Sequence, residues 1–284
     1  MINPNEHPLF QERDLEGLFR KTWEIYKKHF GWLFLYSFLG ILVLQSFLFT
    51  SRLRELISFD YLTNPEKMVE QMGSLFLLLV VFFIGYSILY LFLHYYILYQ
   101  EWKTENNHFI LIKESIKKFA LPYLATMFLA FMILITGMML GVIFFVIGMF
   151  AAMIYLATVF TPTSTLLIVE EVNPLEAITG SFKLVHKDLW KTLGYVVVFY
   201  ILYFVTGIIL SSIIMAPFTG NFLEFLSPET TTEIANVSNS LLPDISPAYI
   251  LISSATSAVT TPLVPVFSIL IYFRLKSIEL GAQS

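Results

Sequence analysis

Apolar residues run along this chain in long blocks, separated by short polar stretches. A helix that crosses a bilayer needs about 20 consecutive apolar residues. The first such block covers 31–50. The second, 74–100, is long enough to tilt. From 119 to 169 there is no charged residue, and Glu170 ends the run. As one helix that run would reach roughly 76 Å at about 1.5 Å per residue, against a hydrocarbon layer of about 30 Å. It therefore predicts a hairpin, with crossings at 120–138 and 142–168 and a turn between Gly137 and Gly148. A fifth crossing is expected at 189–215. A sixth is expected at 248–273, interrupted by Pro262 and Pro265. Only helices and closed barrels satisfy their backbone in lipid, and these blocks are too long and too uniformly apolar for barrel strands. The expectation is an all-α, polytopic membrane protein with six transmembrane helices.

The polar stretches carry a helical period of their own. Leu175, Ile178, Phe182, Val185 and Leu189 share one face, with Glu176, Gly180, Lys183 and Lys187 opposite. Asn173 reads as an N-cap, Pro174 as the first helical residue and Glu176 as the closing member of a capping box. Upstream, Phe109, Ile112, Ile116 and Phe119 repeat the spacing, with Lys113, Lys117 and Lys118 opposite. Near the start, Phe19, Trp23, Tyr26 and Phe30 do the same, among Arg20, Lys27 and Lys28. Basic amphipathic helices lie in the headgroup plane and extend their lysines toward anionic lipid. Three cytoplasmic-side interfacial helices are thus expected, at 12–30, 108–119 and 173–187. The chain then divides into three units of amphipathic helix plus hairpin. The plainer alternative is that any helix leaving a cytosolic face looks amphipathic.

Composition and charge sharpen this picture. Hydrophobic residues make up 57% of the chain and charged residues 13%, with a mean hydropathy of +0.73. Soluble domains carry about 25% charged residues, so so few charges cannot cover a water-facing surface. One membrane domain over 1–284 is expected. Of 17 basic residues, 14 fall in the N-terminal segment, the second-to-third and fourth-to-fifth connections and the tail. Arg52, Arg54 and Lys67 lie in the first-to-second loop. The outer loop at 216–247 has none, only Glu224, Glu229, Glu233 and Asp244. Positive charge stays cytoplasmic, which places both termini inside, as an even number of crossings also requires. The N-terminus lacks a basic run followed by an apolar core, so no cleaved signal peptide is expected.

The candidate chemistry is sparse. There are no cysteines, which excludes disulfides and thiolate sites. The five histidines are scattered without ligand spacing, so neither a metal nor another cofactor is expected. Ser115 and Lys118 fit S-x-x-K, but its β-lactamase-like context is missing. Tyr86, Tyr90 and His94 share a face of the second crossing. They read either as an aromatic interfacial belt or as a polar seam facing the bundle. The hydroxyl-rich stretch from Ser253 to Pro265, with Pro262 and Pro265, reads either as kinked packing or as a transport site built on a broken helix. Gly137 and Gly141 fit G-x-x-x-G, as a packing face or as the hairpin turn. Glu170 and Glu171 end the fourth crossing against an unfavourable helix dipole, where Lys183 or Lys187 would offset them.

The stretch VEEVNPLEAITGSFKLVHKDLWKTL, with Glu170, Pro174, Ala177, Ser181, Leu184 and Trp190, resembles the membrane domain found beside bacterial glycerophosphoryl diester phosphodiesterases and YciC-like membrane proteins. LFRKTWEIYKKHFGWLF and PLVPVFSILIYFRLKSIELG resemble the beginning and end of that family. Together these stretches cover about a quarter of the chain. Two positions depart. Glu171 stands where the family tends to have glycine, and Phe273 replaces the acidic residue before the last arginine, Arg274. The resemblance implies a six-helix membrane domain without the soluble catalytic barrel.

The resulting expectation is a non-catalytic protein of the bacterial cytoplasmic (inner) membrane with an accessory or scaffold role. Its partners would be membrane lipids and a membrane or cytosolic protein, not nucleic acid. Lys113, Lys117, Lys118, Lys183 and Lys187 are the candidate headgroup contacts. Glu170, Pro174, Ser181 and Trp190 form the elbow. The alternative is a transporter or channel using Tyr86, Tyr90, His94 and the broken sixth helix.

Overall fold

A computed structural model describes residues 4–50, 65–103, 108–143, 145–215 and 247–281. A 3-10 turn at Pro4–Glu6 precedes nine α-helices among the described residues. They are α1 (Leu15–Thr50), α2 (Pro65–Lys103), α3 (His108–Val142), α4 (Phe145–Phe160), α5 (Thr163–Glu170), α6 (Pro174–His186), α7 (Leu189–Met215), α8 (Pro247–Thr260) and α9 (Leu263–Gly281). Six helical spans have the length and apolarity to cross a membrane: Leu15–Phe47, Phe76–Trp102, His108–Val142, Val146–Glu170, Leu189–Ser212 and Pro247–Gly281. The chain is a multi-pass membrane protein, all-helical among the described residues. Arg52, Arg54 and the acidic outer loop through residue 246 lie outside the described residues.

Two of the three expected interfacial helices are not separate elements. Residues 15–30 continue into the first crossing as the 36-residue α1. Gly31 is the one weak position at that junction, and a single glycine weakens a helix by only about 1 kcal/mol. Likewise 108–119 is the first part of the 35-residue α3, which carries Pro122 inside it rather than at its end. A turn falls at residue 143, inside the expected window from Gly137 to Gly148, while α3 runs past the expected end at 138, so Gly137 and Gly141 both lie within the helix. Only α6 stands alone. Its capping box is formed: Glu176 N–H donates to Asn173 Oδ1 at 2.9 Å, and Asn173 N–H donates to Glu176 Oε2 at 3.4 Å.

The fourth crossing is broken at Thr161-Pro162, between α4 and α5, and the sixth at Thr261-Pro262, between α8 and α9. Pro265 causes no second break. It occupies the first turn of α9, where a helix needs no donor.

The chain forms two compact units. One comprises Met1–Leu33, Ser87–Phe204 and Thr261–Ser284, the other Phe34–Tyr86 and Val205–Thr260. In the first, α9 is buried on every side from Pro265 to Leu275. Phe199 of α7 stacks on Phe267 with centroids 3.9 Å apart. α5 and α9 run parallel, since Thr165 meets Ser268 and, further along both, Glu170 meets Tyr272. In the second unit Gln45 Oε1 accepts from Ser253 and Ser254 at 2.6 and 3.0 Å. There the serine-rich stretch joins helices, as interhelical hydroxyls do in lipid.

Candidate functional site

A basic face, an ion-paired elbow and a buried cluster carry the polar chemistry of the first unit. Lys113 and Lys117 on α3 and Lys183 on α6 are exposed. Around them stand exposed apolar groups: Phe109 (74%) and Ile116 on α3, Leu175 (64%) on α6 and Trp190 (82%) at the start of α7. The apolar stripes of the sequence are therefore rotated outward in part. The buried face of α3 is Leu111, Ser115, Phe119 and Tyr123, and that of α6 is Ala177, Ile178, Ser181, Leu184 and Val185. On α1, Leu18, Thr22, Ile25 and Tyr26 are buried while Trp23 and Phe30 are exposed.

The remaining two lysines are tied down. Lys118 pairs with Glu171 at 2.5 Å and Lys187 with Glu279 at 2.8 Å. Glu170 is not answered by Lys183 or Lys187. It receives Tyr272 Oη–H at 2.8 Å and pairs with Lys276 at 2.9 Å, both from α9. The elbow is thus a set of ion pairs linking α3, α5, α6 and α9. Pro174 is its first helical residue, and Ser181 is buried and donates to the Val159 carbonyl at 2.5 Å. Glu171 has φ 53° and ψ 36°, the left-handed position that ends α5. Glycine takes that conformation most easily, so a glutamate here is strained. Lys118 holds the Glu171 carboxylate below its ordinary range.

The residues of the expected polar seam divide between the two units. Tyr86 belongs to the other unit, while His94 is buried and donates from Nδ1 to the Tyr90 carbonyl at 2.8 Å. Its ring neighbour is Tyr123 of α3, with centroids 6.3 Å apart. Tyr95 and Tyr96 are also buried, so this cluster faces protein and is not an interfacial belt.

The buried cluster centres on Arg274, which the sequence marked only as a topology charge. Its side chain is 2% exposed. Nη2 donates to Asp188 Oδ2, Nε to the Arg13 carbonyl at 2.9 Å, and Nη1 to Thr192 Oγ1 at 3.4 Å. The guanidinium carbon lies 4.8 Å from the centre of the Tyr195 ring. Its acidic partner is Asp188, 86 residues away in the sequence. The one sequence signal was an arginine directly behind an apolar run.

The N-terminal segment docks beside this cluster. His7 is buried between Trp102 and Phe273, with centroids 5.2 and 4.3 Å away. Leu9 N–H donates to Nδ1 at 3.2 Å, and Nε2 lies 3.3 Å from the Leu98 carbonyl. Both contacts are satisfied only by the neutral ring with its proton on Nε2. Burial lowers the His7 pKa from 6.5 to about 4, against opposing effects of the Leu98 bond and Glu101. The unfolded chain therefore binds more protons between pH 4 and 6.5. Stability is fully present above about 6.5 and falls with pH through that window. By pH 5 the wild type is expected to lose about 2 kcal/mol more than His7→Phe, read from thermal unfolding at pH 7 and pH 5.

No protein-family model, curated protein or solved structure matches this chain.

Proposed function

We propose that this multi-pass protein is a non-catalytic component of a bacterial cytoplasmic membrane, with both termini inside and an accessory or scaffold role built on contact with anionic lipid. The observation that carries the reading is the exposed set Lys113, Lys117 and Lys183, interleaved with exposed Phe109, Ile116, Leu175 and Trp190. Apolar groups of this size favour the headgroup–acyl boundary, and lysines beside them reach the phosphates. The resemblance to the membrane domain beside glycerophosphoryl diester phosphodiesterases agrees with it, as does the concentration of basic residues on one side of the crossings.

Two of the five candidate lysines, Lys118 and Lys187, are ion-paired, which supports a split of roles. Lys113, Lys117 and Lys183 serve lipid, while Lys118 and Lys187 hold the elbow. Each lysine near an anionic surface contributes about 1 kcal/mol. Glutamine at each of positions 113, 117 and 183 is expected to weaken enrichment of anionic over zwitterionic lipid in nanodiscs about fivefold per site. Glutamine at 118 or 187 is expected to lower thermal stability with little change in lipid preference. Unchanged enrichment in the triple variant sinks the lipid role.

A transporter or channel is the second reading. The paired breaks at Thr161-Pro162 and Thr261-Pro262 favour it, since discontinuous helices build transport sites. Accessibility of cysteines placed at 163 and 265 to a water-soluble maleimide tests it. Absence of labelling from either side excludes a hydrated path along these helices.

A further inference from the structure

Within the first unit, two buried side-chain polar atoms have no hydrogen-bond partner among the described residues, His94 Nε2 and Thr163 Oγ1. Thr163 is the first residue of α5. The first backbone bond of this helix runs from Leu166 N–H to the Pro162 carbonyl at 2.9 Å. The amides of Thr163, Ser164 and Thr165 precede that bond, so the helix ladder offers them no acceptor. Unbroken, they would reach back to the carbonyls of 159, 160 and 161. Two of those accept from serines instead: Ser181 donates to Val159 and Ser268 to Thr161, both at 2.5 Å. Pro162 at the N-cap supplies no side-chain cap. Residues 163, 164 and 165 are all buried, so bulk water does not stand in.

The free hydroxyl has the same origin. Thr158 and Thr192 donate to the carbonyl four residues back, both at 2.8 Å. For Thr163 that carbonyl is Val159, which already accepts from Ser181, and Thr163 makes no bond to it. Each Cα–Cβ bond of a helix tilts toward its N-terminus, so the Thr163 hydroxyl lies at the same end as the unpaired amides. Ser164 is committed elsewhere, donating to Tyr123 Oη at 3.3 Å. The break before α9 lacks this array, because Leu263, Val264 and Pro265 follow it.

Several donors and the positive end of a helix dipole thus meet without an acceptor. We propose that the N-terminal turn of α5 binds a compact anion, of halide or carboxylate size, through the amides of Thr163–Thr165 and the Thr163 hydroxyl. This site is independent of the lipid role.

The test uses the full chain in detergent, with thermal unfolding followed by tryptophan fluorescence. Sodium chloride and sodium formate are each titrated against sodium gluconate at constant ionic strength. A bound anion gives a saturating rise, roughly 5 °C at a hundredfold excess over Kd. Thr163→Val is expected to weaken apparent affinity tenfold or more, while Thr163→Ser keeps it. Equal, non-saturating responses to all three salts in the wild type overturn the proposal, and that arm needs no variant to fold. Saturation in Thr163→Val at wild-type concentrations overturns it too.

Discussion

Arg274→Met is expected to destabilise the first unit by about 3–5 kcal/mol, the range for removing one member of a buried ion pair. The loss has three parts. Asp188 keeps its charge without its partner, the Arg13 carbonyl loses its donor, and the Tyr195 ring loses its cation. Arg274→Lys is expected to recover only part, because an ammonium cannot address Asp188, Thr192 and Arg13 from the three sides that a planar guanidinium reaches. The informative variant is Asp188→Asn with Arg274→Met. With both charges gone, most of the stability should return, since replacing a whole buried pair is often near neutral. Thermal unfolding in detergent reads all three against the wild type. A double variant no better than the single one shows that the pair is not the source of the effect.

Gly141→Val is expected to cost about 3 kcal/mol or more, the upper end for overpacking. A Cβ at this position would lie 2.6 Å from the Gly148 carbonyl oxygen and 2.8 Å from Met149 Cα. These are backbone atoms of α4 and cannot rotate away. Gly137 is the control. A Cβ there meets only the Leu156 Cδ1 tip, a flexible group that can turn aside. Gly137→Ala should therefore change stability by less than about 1 kcal/mol, and Gly141→Ala by clearly more. Equal melting temperatures for the two alanine variants refute the close approach of α3 and α4.

The crossings were legible because span length is a one-dimensional property. Apolar runs gave all six, and α7 begins and ends at the expected residues, Leu189 and Met215. Helix faces were harder to read. In a bilayer the surroundings are as apolar as the core, so an apolar stripe faces lipid as readily as protein. Trp23 and Phe109 point outward, while Thr22 and Ser115 are buried. The asymmetry that betrays an inward face in water is absent here. The capping box of α6 was legible because its three residues are local, Asn173, Pro174 and Glu176. The Arg274–Asp188 pair was not, because its members are 86 residues apart and each alone reads as a loop charge. The two glycines of α3 were ambiguous for a similar reason: the sequence shows the absence of a side chain but not what fills its place.

The burial of α9 has a consequence for biogenesis. This helix is synthesised after every element it holds together, yet Arg13, Glu170 and Asp188 all find their partners on it. While the ribosome is still translating upstream of 263, those groups lack the partners they have in the folded chain. The final span alone can close these contacts, the most distant of them across 261 residues of sequence. The packing of the first unit is therefore completed only once the last helix has been made. That waiting period is when insertion chaperones and membrane proteases have their opportunity to act.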